Sequence, residues 1–174
     1  MDLTPLIRDI PDFPKPGIVF KDITPLLREP AGLAMAVELM ASPFRGRHVD
    51  LVCGAESRGF IFGTALAQTL DAGFVPIRKP NKLPFEKHSV EYGLEYGTDK
   101  LEIHTDAVAH GQKVLMVDDL LATGGTMKAA CDLVQKLGGD IIGISVLIEL
   151  TFLNGREKFK EYGQVHAVLR YDEE

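Results

Sequence analysis

Cysteine is scarce: Cys53 and Cys131 are the two thiols of a 174-residue chain. That scarcity excludes a disulfide framework and predicts two buried, reduced thiols in a cytosolic protein. Long hydrophobic runs are missing too. None reaches the roughly 20 residues of a bilayer span, so no membrane association is expected. The opening stretch M-D-L-T-P-L-I-R-D-I has no basic segment followed by an apolar one, which predicts no secretory signal and a cytoplasmic location. Positive charge is in deficit, with a net charge of −6. A nucleic-acid partner needs a basic face, so none is expected. His48, His88, His104, His110 and His166 are scattered without metal-ligand spacing. There is no repeat and no low-complexity tract. With 45% hydrophobic residues over this length, one core is affordable and residues 1–174 are expected to form a single domain.

What is present centres on K-V-L-M-V-D-D-L-L-A-T-G-G-T, residues 113–126. Residues 113–117 carry almost no polar side chains and read as a strand buried on both faces of a parallel sheet. Asp118 and Asp119 stand where that strand is expected to end. Ala122, Thr123, Gly124, Gly125 and Thr126 form a short turn, after which Met127, Ala130, Cys131, Val134 and Leu137 recur at helical spacing up to Gly138-Gly139. A helix N-terminus leaves backbone N–H groups unpaired and attracts phosphate, and glycines let the backbone approach its oxygens. Thr123 and Thr126 add hydroxyl donors. The carboxylates suit the hydroxyls of a sugar diol, or a hydrated magnesium ion. Neither a Walker P-loop nor a G-x-G-x-x-G dinucleotide fingerprint is present. An Asp-Asp pair by itself more often just precedes a helix; the buried strand before it and G-G-T after it turn the balance toward a sugar phosphate.

Along the chain, residues 2–9 are predicted as a short helix. Pro11, Pro14, Pro16 and Gly17 then make a shaped loop, which carries Phe20, an aromatic that could plug the core or face a flat ring. A helix is predicted over 31–40, a buried strand over 50–54, and a helix apolar nearly all round over 60–70. The turn between these last two holds Glu56, Ser57 and Arg58. A strand over 73–78 leads into Arg78, Lys79 and Lys82, cations placed where ligands of open α/β sheets bind. Residues 83–99 read as a long mobile excursion, a lid, ahead of an alternating edge strand over 100–104. A strand over 140–150, a short helix over 154–160 and a last strand over 164–170 complete the chain.

V-D-D-L-L-A-T-G-G-T (Val117 to Thr126) resembles the phosphoribosyl pyrophosphate signature of the type I phosphoribosyltransferases. P-D-F-P-K-P-G-I-V-F-K-D-I-T-P-L-L (Pro11 to Leu27), E-S-R-G-F (Glu56 to Phe60) and L-E-Y-G (Leu94 to Gly97) look like the members that take adenine. The resemblance implies an α/β fold with a Rossmann-like, mostly parallel central sheet flanked by helices, a small hood over residues 1–30 and a mobile lid over about 80–99. It implies magnesium-dependent transfer of ribosyl 5-phosphate from phosphoribosyl pyrophosphate to adenine, giving AMP and pyrophosphate, in a homodimer. By resemblance Asp118 and Asp119 hold the ribose hydroxyls and residues 122–126 grip the 5-phosphate. Val19, Phe20, Lys21, Arg58 and Leu150 border adenine. Glu56, Ser57, Arg58, Arg78, Lys79 and Lys82 meet pyrophosphate. Glu95 and Tyr96 act from the lid, and magnesium is held mainly by substrate and water. Lys21 stands where many relatives carry arginine, and Pro80-Asn81 replaces a more usual x-Gly. Two alternatives stay open: transfer to another purine such as hypoxanthine or xanthine, and a non-catalytic sensor of the donor.

Overall fold

The computed structural model describes residues 2–93 and 97–173. A small antiparallel ribbon of β1 (Arg8–Ile10) and β2 (Phe20–Asp22) is followed by helices α1 (Thr24–Arg28) and α2 (Pro30–Ala41). Then come β3 (Leu51–Ala55), α3 (Arg58–Thr69) and β4 (Gly73–Ile77), a second antiparallel ribbon of β5 (Lys87–Gly93) and β6 (Thr98–His104), and β7 (Lys113–Leu121). Helix α4 (Gly125–Lys136), β8 (Asp140–Leu150), a run of 3-10 turns and β9 (Gln164–Tyr171) close the chain. The central sheet is parallel throughout, in the order β4-β3-β7-β8-β9. The expected Rossmann-like α/β architecture is present.

The apolar run at the start of β7 has a direct physical reason. Val114 and Met116 point into one core, with α4, whereas Leu115 and Val117 point into the other, with α2 and α3. Alternate side chains of a strand face opposite sides, so a strand covered on both faces must be apolar at every position. Cys53 and Val52 divide the same way in β3. Both cysteines are buried, unbonded thiols.

Several expectations fail, each because a tertiary partner overrides local pattern. β7 continues through the acidic pair to Leu121, because the longer β8 keeps pairing with it as far as Leu121↔Glu149. Residues 2–9 are not a helix: Thr4–Leu6 is a single 3-10 turn and Arg8–Ile10 pairs with Phe20–Asp22. The excursion over 83–99 is largely a hairpin, with Lys87–Gly93 bonded to Thr98–His104 and Val90 and Tyr92 packed on the core beneath. The alternation expected over 100–104 is absent, since Leu101, Glu102 and Ile103 are all buried. Glu102 tolerates this because its carboxylate accepts the Asn81 N–H and the Ser89 hydroxyl, both at 3.2 Å. Helix α3 is not buried all round either: Ile61 is 39% exposed, since the helix lies against the sheet on one side. α1 has no counterpart in the sequence reading, and the helix expected over 154–160 is a 3-10 series, Gly155–Tyr162.

Candidate active site

From β3 the chain passes through α3 to β4 on one side; from β7 it passes through α4 to β8 on the other. The carboxyl ends of β3 and β7 therefore part company, and such a switch point is where open α/β sheets bind ligands. A cavity of about 660 Å³ lies there. Its walls are the turn after β3 (Glu56, Ser57, Arg58), the end of β7 (Asp118 to Leu121), the 122–126 turn, Lys79, Gly93 and Lys15.

The 122–126 turn meets α4 at Gly124, whose φ of +84° is left-handed. A Cβ there would stand 3.0 Å from both the Gly155 carbonyl oxygen and the Phe159 ring, so glycine is required by conformation and by space. α4 runs twelve residues from this turn, and its first N–H groups face no earlier helical carbonyl. Across the cavity, α3 presses on the acidic pair: a Cβ on Gly59 would lie 3.1 Å from Asp118 Oδ1.

The acidic pair is electrostatically tense. Asp119 is buried and accepts a hydrogen bond from Arg58 Nε, while its own N–H donates to Asp118 Oδ1 at 2.8 Å. Burial, reinforced by the like charge of Asp119, pushes the Asp118 carboxyl well above the usual carboxylate range. Glu56 is the opposite case. Burial alone would raise it, but the Lys82 ammonium at 2.5 Å, the Lys79 N–H at 2.8 Å and Arg78 at 3.2 Å outweigh that and hold it low. Glu56 thus gathers the cations of the strand end behind it, whereas the Lys79 ammonium swings forward onto Tyr92 OH at 3.0 Å and onto Asp99. Thr126 also reaches Tyr92 OH, at 3.4 Å. The second ribbon is tied to the cavity rim by these contacts.

A family model described as a phosphoribosyl transferase domain matches residues 22–168. The chain is 57% identical over 171 residues to an adenine phosphoribosyltransferase of Rhodopirellula baltica, covering 98% of this chain and 82% of that one. The crystal structure of adenine phosphoribosyltransferase from Thermoanaerobacter pseudethanolicus superposes with a TM-score of 0.94 at 53% identity, covering 97% of this chain and 98% of that one. The Saccharomyces cerevisiae enzyme, complexed with an imino-altritol bisphosphate and adenine, matches at TM-score 0.90 and 38% identity, with 96% of each chain covered. The chain belongs to the adenine phosphoribosyltransferase family. Like the other members of that family it is a transferase by descent, and its type I phosphoribosyltransferase fold is the one they share.

For this family member, the residues singled out in the sequence separate into four groups. Glu56, Ser57, Arg58, Lys79, Asp118, Asp119 and residues 122–126 do converge on the one cavity. Phe20 stands beside it: the Arg58 guanidinium lies 5.6 Å from its ring centre, and Phe13 meets the ring edge-on at 5.2 Å. Val19, Lys21, Arg78, Lys82 and Leu150 are not among the lining residues. Lys21 is buried elsewhere, with its ammonium 2.9 Å from Asp9 and 4.4 Å above the Tyr171 ring; Arg78 and Lys82 are taken up by Glu56. Glu95 and Tyr96 lie outside the described residues. Lys15, Gly93 and Met127 line the cavity without having been singled out. Met127 could have been found from its place on the first turn of α4, whereas Lys15 arrives only because the proline-rich loop folds back, for which no periodicity gives a signal.

Proposed function

We propose that this chain transfers ribosyl 5-phosphate from phosphoribosyl pyrophosphate to adenine, releasing AMP and pyrophosphate. The observation that carries the reading is the junction of β7 and α4. There an acidic pair and a glycine turn at a helix N-terminus line one cavity with Lys79 and Arg58. In the reading, the 122–126 amides and Thr123 and Thr126 hydroxyls hold the 5-phosphate, and Asp118 and Asp119 accept hydrogen bonds from the ribose hydroxyls. Lys79 leaves Asp99 to meet the pyrophosphate, and Ser57 and Arg58 border it. Adenine lies between Phe20 and the ring-flanking Leu150, with Val19 beside it; Lys21, buried against Asp9 and Tyr171, steadies the strand that carries Phe20, and Arg58 links this wall to Asp119.

Adenine N9 forms the bond to the anomeric carbon as the bond from that carbon to the pyrophosphate oxygen breaks. The sugar passes through an oxocarbenium-like state, as in glycoside chemistry. Asp118 and Asp119 sit where positive charge develops, and Lys79 where negative charge leaves. The proton shed at the imidazole edge of the base is assigned to Glu95, with Tyr96 closing over the ribose. Residues 1–30 form the hood and 80–99 the lid of a single domain. The ribbon built from β5 and β6 is the frame of that lid, which keeps water from the sugar cation.

Magnesium fits the donor set. Among the described residues no group of three or more His, Cys, Asp or Glu side chains converges to cage an ion. Magnesium usually takes one or two carboxylates plus phosphate oxygens and water, and Asp118 and Asp119 offer such carboxylates at the cavity wall. When bound, the ion would offset charge on the departing pyrophosphate. A homodimer and a cytoplasmic setting belong to the same reading, the latter supported by Cys53 and Cys131, two buried thiols with no disulfide. Among the described residues no helix is long and apolar enough to cross a membrane.

A spectrophotometric assay of purified protein with magnesium, the donor and each purine in turn tests the reading. Adenine is expected to be consumed far faster than hypoxanthine or xanthine. Turnover of hypoxanthine or xanthine in its place, or of no purine, overturns it.

A further inference from the structure

Behind the 122–126 turn lies the 3-10 series Gly155–Tyr162, reached from β8 through the turn Thr151–Leu153. Three contacts from it converge on the turn, two of them at carbonyl oxygens. The exposed Lys158 donates a hydrogen bond from Nζ to the Thr123 carbonyl oxygen. Gly155 approaches so closely that a Cβ on it would stand 2.1 Å from the Ala122 carbonyl oxygen. The Phe159 ring, fully buried, fills the space beside Gly124.

The segment is itself anchored. Arg156 Nε donates to Glu149 at 2.8 Å, a second guanidinium nitrogen reaches the other carboxylate oxygen, and the third donates to the Val165 carbonyl at 2.6 Å. Glu149 is 3% exposed, so this fork holds a buried charge at the end of β8, and breaking it would strand that charge. The position of Gly155 relative to the sheet is therefore firm.

The peptides of the turn are trans, since the cis bonds of the described residues are Phe13–Pro14 and Glu56–Ser57. In a planar trans peptide the C=O and the following N–H point in opposite directions. Fixing a carbonyl from behind thus aims the next amide forward: the Ala122 carbonyl sets the Thr123 N–H, and the Thr123 carbonyl sets the Gly124 N–H. We propose that Gly155 and Lys158 are positioning residues, holding the backs of these two peptides so that the Thr123 and Gly124 amides face the 5-phosphate. The gain comes from preorganisation, because donors already aimed need not be turned when the anion arrives. Lys158 also polarises the peptide it grips, which strengthens the forward amide as a donor. The inference rests on the reading of this turn as the 5-phosphate site.

The test compares AMP with adenosine, which differ by that phosphate alone, in calorimetric titrations of the full chain. Lys158→Met is expected to weaken AMP about tenfold, the size of one lost hydrogen bond to a charged group, and to leave adenosine unchanged. Lys160→Met removes a neighbouring exposed ammonium of the same segment and is expected to leave both ligands unchanged. Gly155→Ala, which alters no charge, is expected to weaken AMP selectively as well; if that variant does not fold, the contrast between the two lysines decides. Equal loss for AMP and adenosine, no loss for AMP in Lys158→Met, or the same loss in Lys160→Met overturns the inference. If the unsubstituted protein binds AMP no more tightly than adenosine, the 5-phosphate reading of the turn fails and takes this inference with it. AMP preference that survives Lys158→Met removes the inference alone.

Discussion

The wall proposed for the sugar phosphate grows out of strand ends in the core, whereas the one proposed for the base, with Phe20 beside the cavity, hangs on a proline-stiffened loop and the small ribbon outside the central sheet. Asp119 is buried and locked to Arg58, and Gly124 has contacts on the side its Cβ would take. Phe20 is half-buried and Phe13 is 50% exposed. A phosphate site must present charge and amides with little freedom, since anion binding depends on donors held in place. The base half needs only a flat apolar surface, which an aromatic ring supplies with few constraints. The difference teaches that a substitution in the first half acts on the chemistry and on the fold together, while one in the second acts on one ligand.

The sharpest way to break this contrast is Asp119→Asn. It weakens the tie to Arg58 and the grip on the ribose at once, and activity with saturating substrates is expected to fall on the order of 100-fold, about 3 kcal/mol. Loss of less than about threefold would show that the buried half is not the reactive one. A smaller effect, confined to one substrate, is expected for Phe20→Ala: KM for adenine rises roughly tenfold, with KM for the donor unchanged. A matched rise in both constants would erase the distinction between the halves.

The smallest effect concerns stability. The Asp118 carboxyl is raised in the folded protein, first by burial and then by the charge of Asp119. A raised folded value means stability that is fully present below the unfolded pKa and lost as pH rises through the folded one. At pH 7.5, above the unfolded value, the raised carboxyl is therefore a cost to the ligand-free protein. Asp118→Asn removes that cost and keeps an oxygen for the Asp119 N–H. Its melting temperature at pH 7.5 is expected to exceed that of the unsubstituted protein by roughly 2–4 °C, about 1 kcal/mol, while activity drops. The gap should close as pH falls toward 4. A variant that melts lower at pH 7.5 would show that hydrogen bonding, not charge, dominates at this position.

Much of the parallel sheet and the glycine turn could be read from residue order, because both are local. A buried parallel strand is a continuous apolar run, and a glycine turn next to acidic residues before a helical pattern is a contiguous signal. The ribbon over 87–104 could not be read that way, since its hydrogen bonds join residues such as Lys87 and His104 across the chain. Glu102 shows the same limit: a buried carboxylate in an otherwise apolar strand makes sense only once the Asn81 N–H and the Ser89 hydroxyl are beside it. Lys21 and Asp9, and Arg78 and Glu56, likewise chose partners 12 and 22 residues away.

Residue order alone therefore determined the sheet's apolar strands, the acidic pair and the glycine turn that meets α4, because backbone conformation and burial leave contiguous marks. Only the tertiary structure decided which cations face the cavity and which are spent on Glu56 and Asp9. It alone brought Gly155 and Lys158 behind the 122–126 turn. Charge pairing and close backbone approach are matters of distance in space, and distance along the chain does not report it.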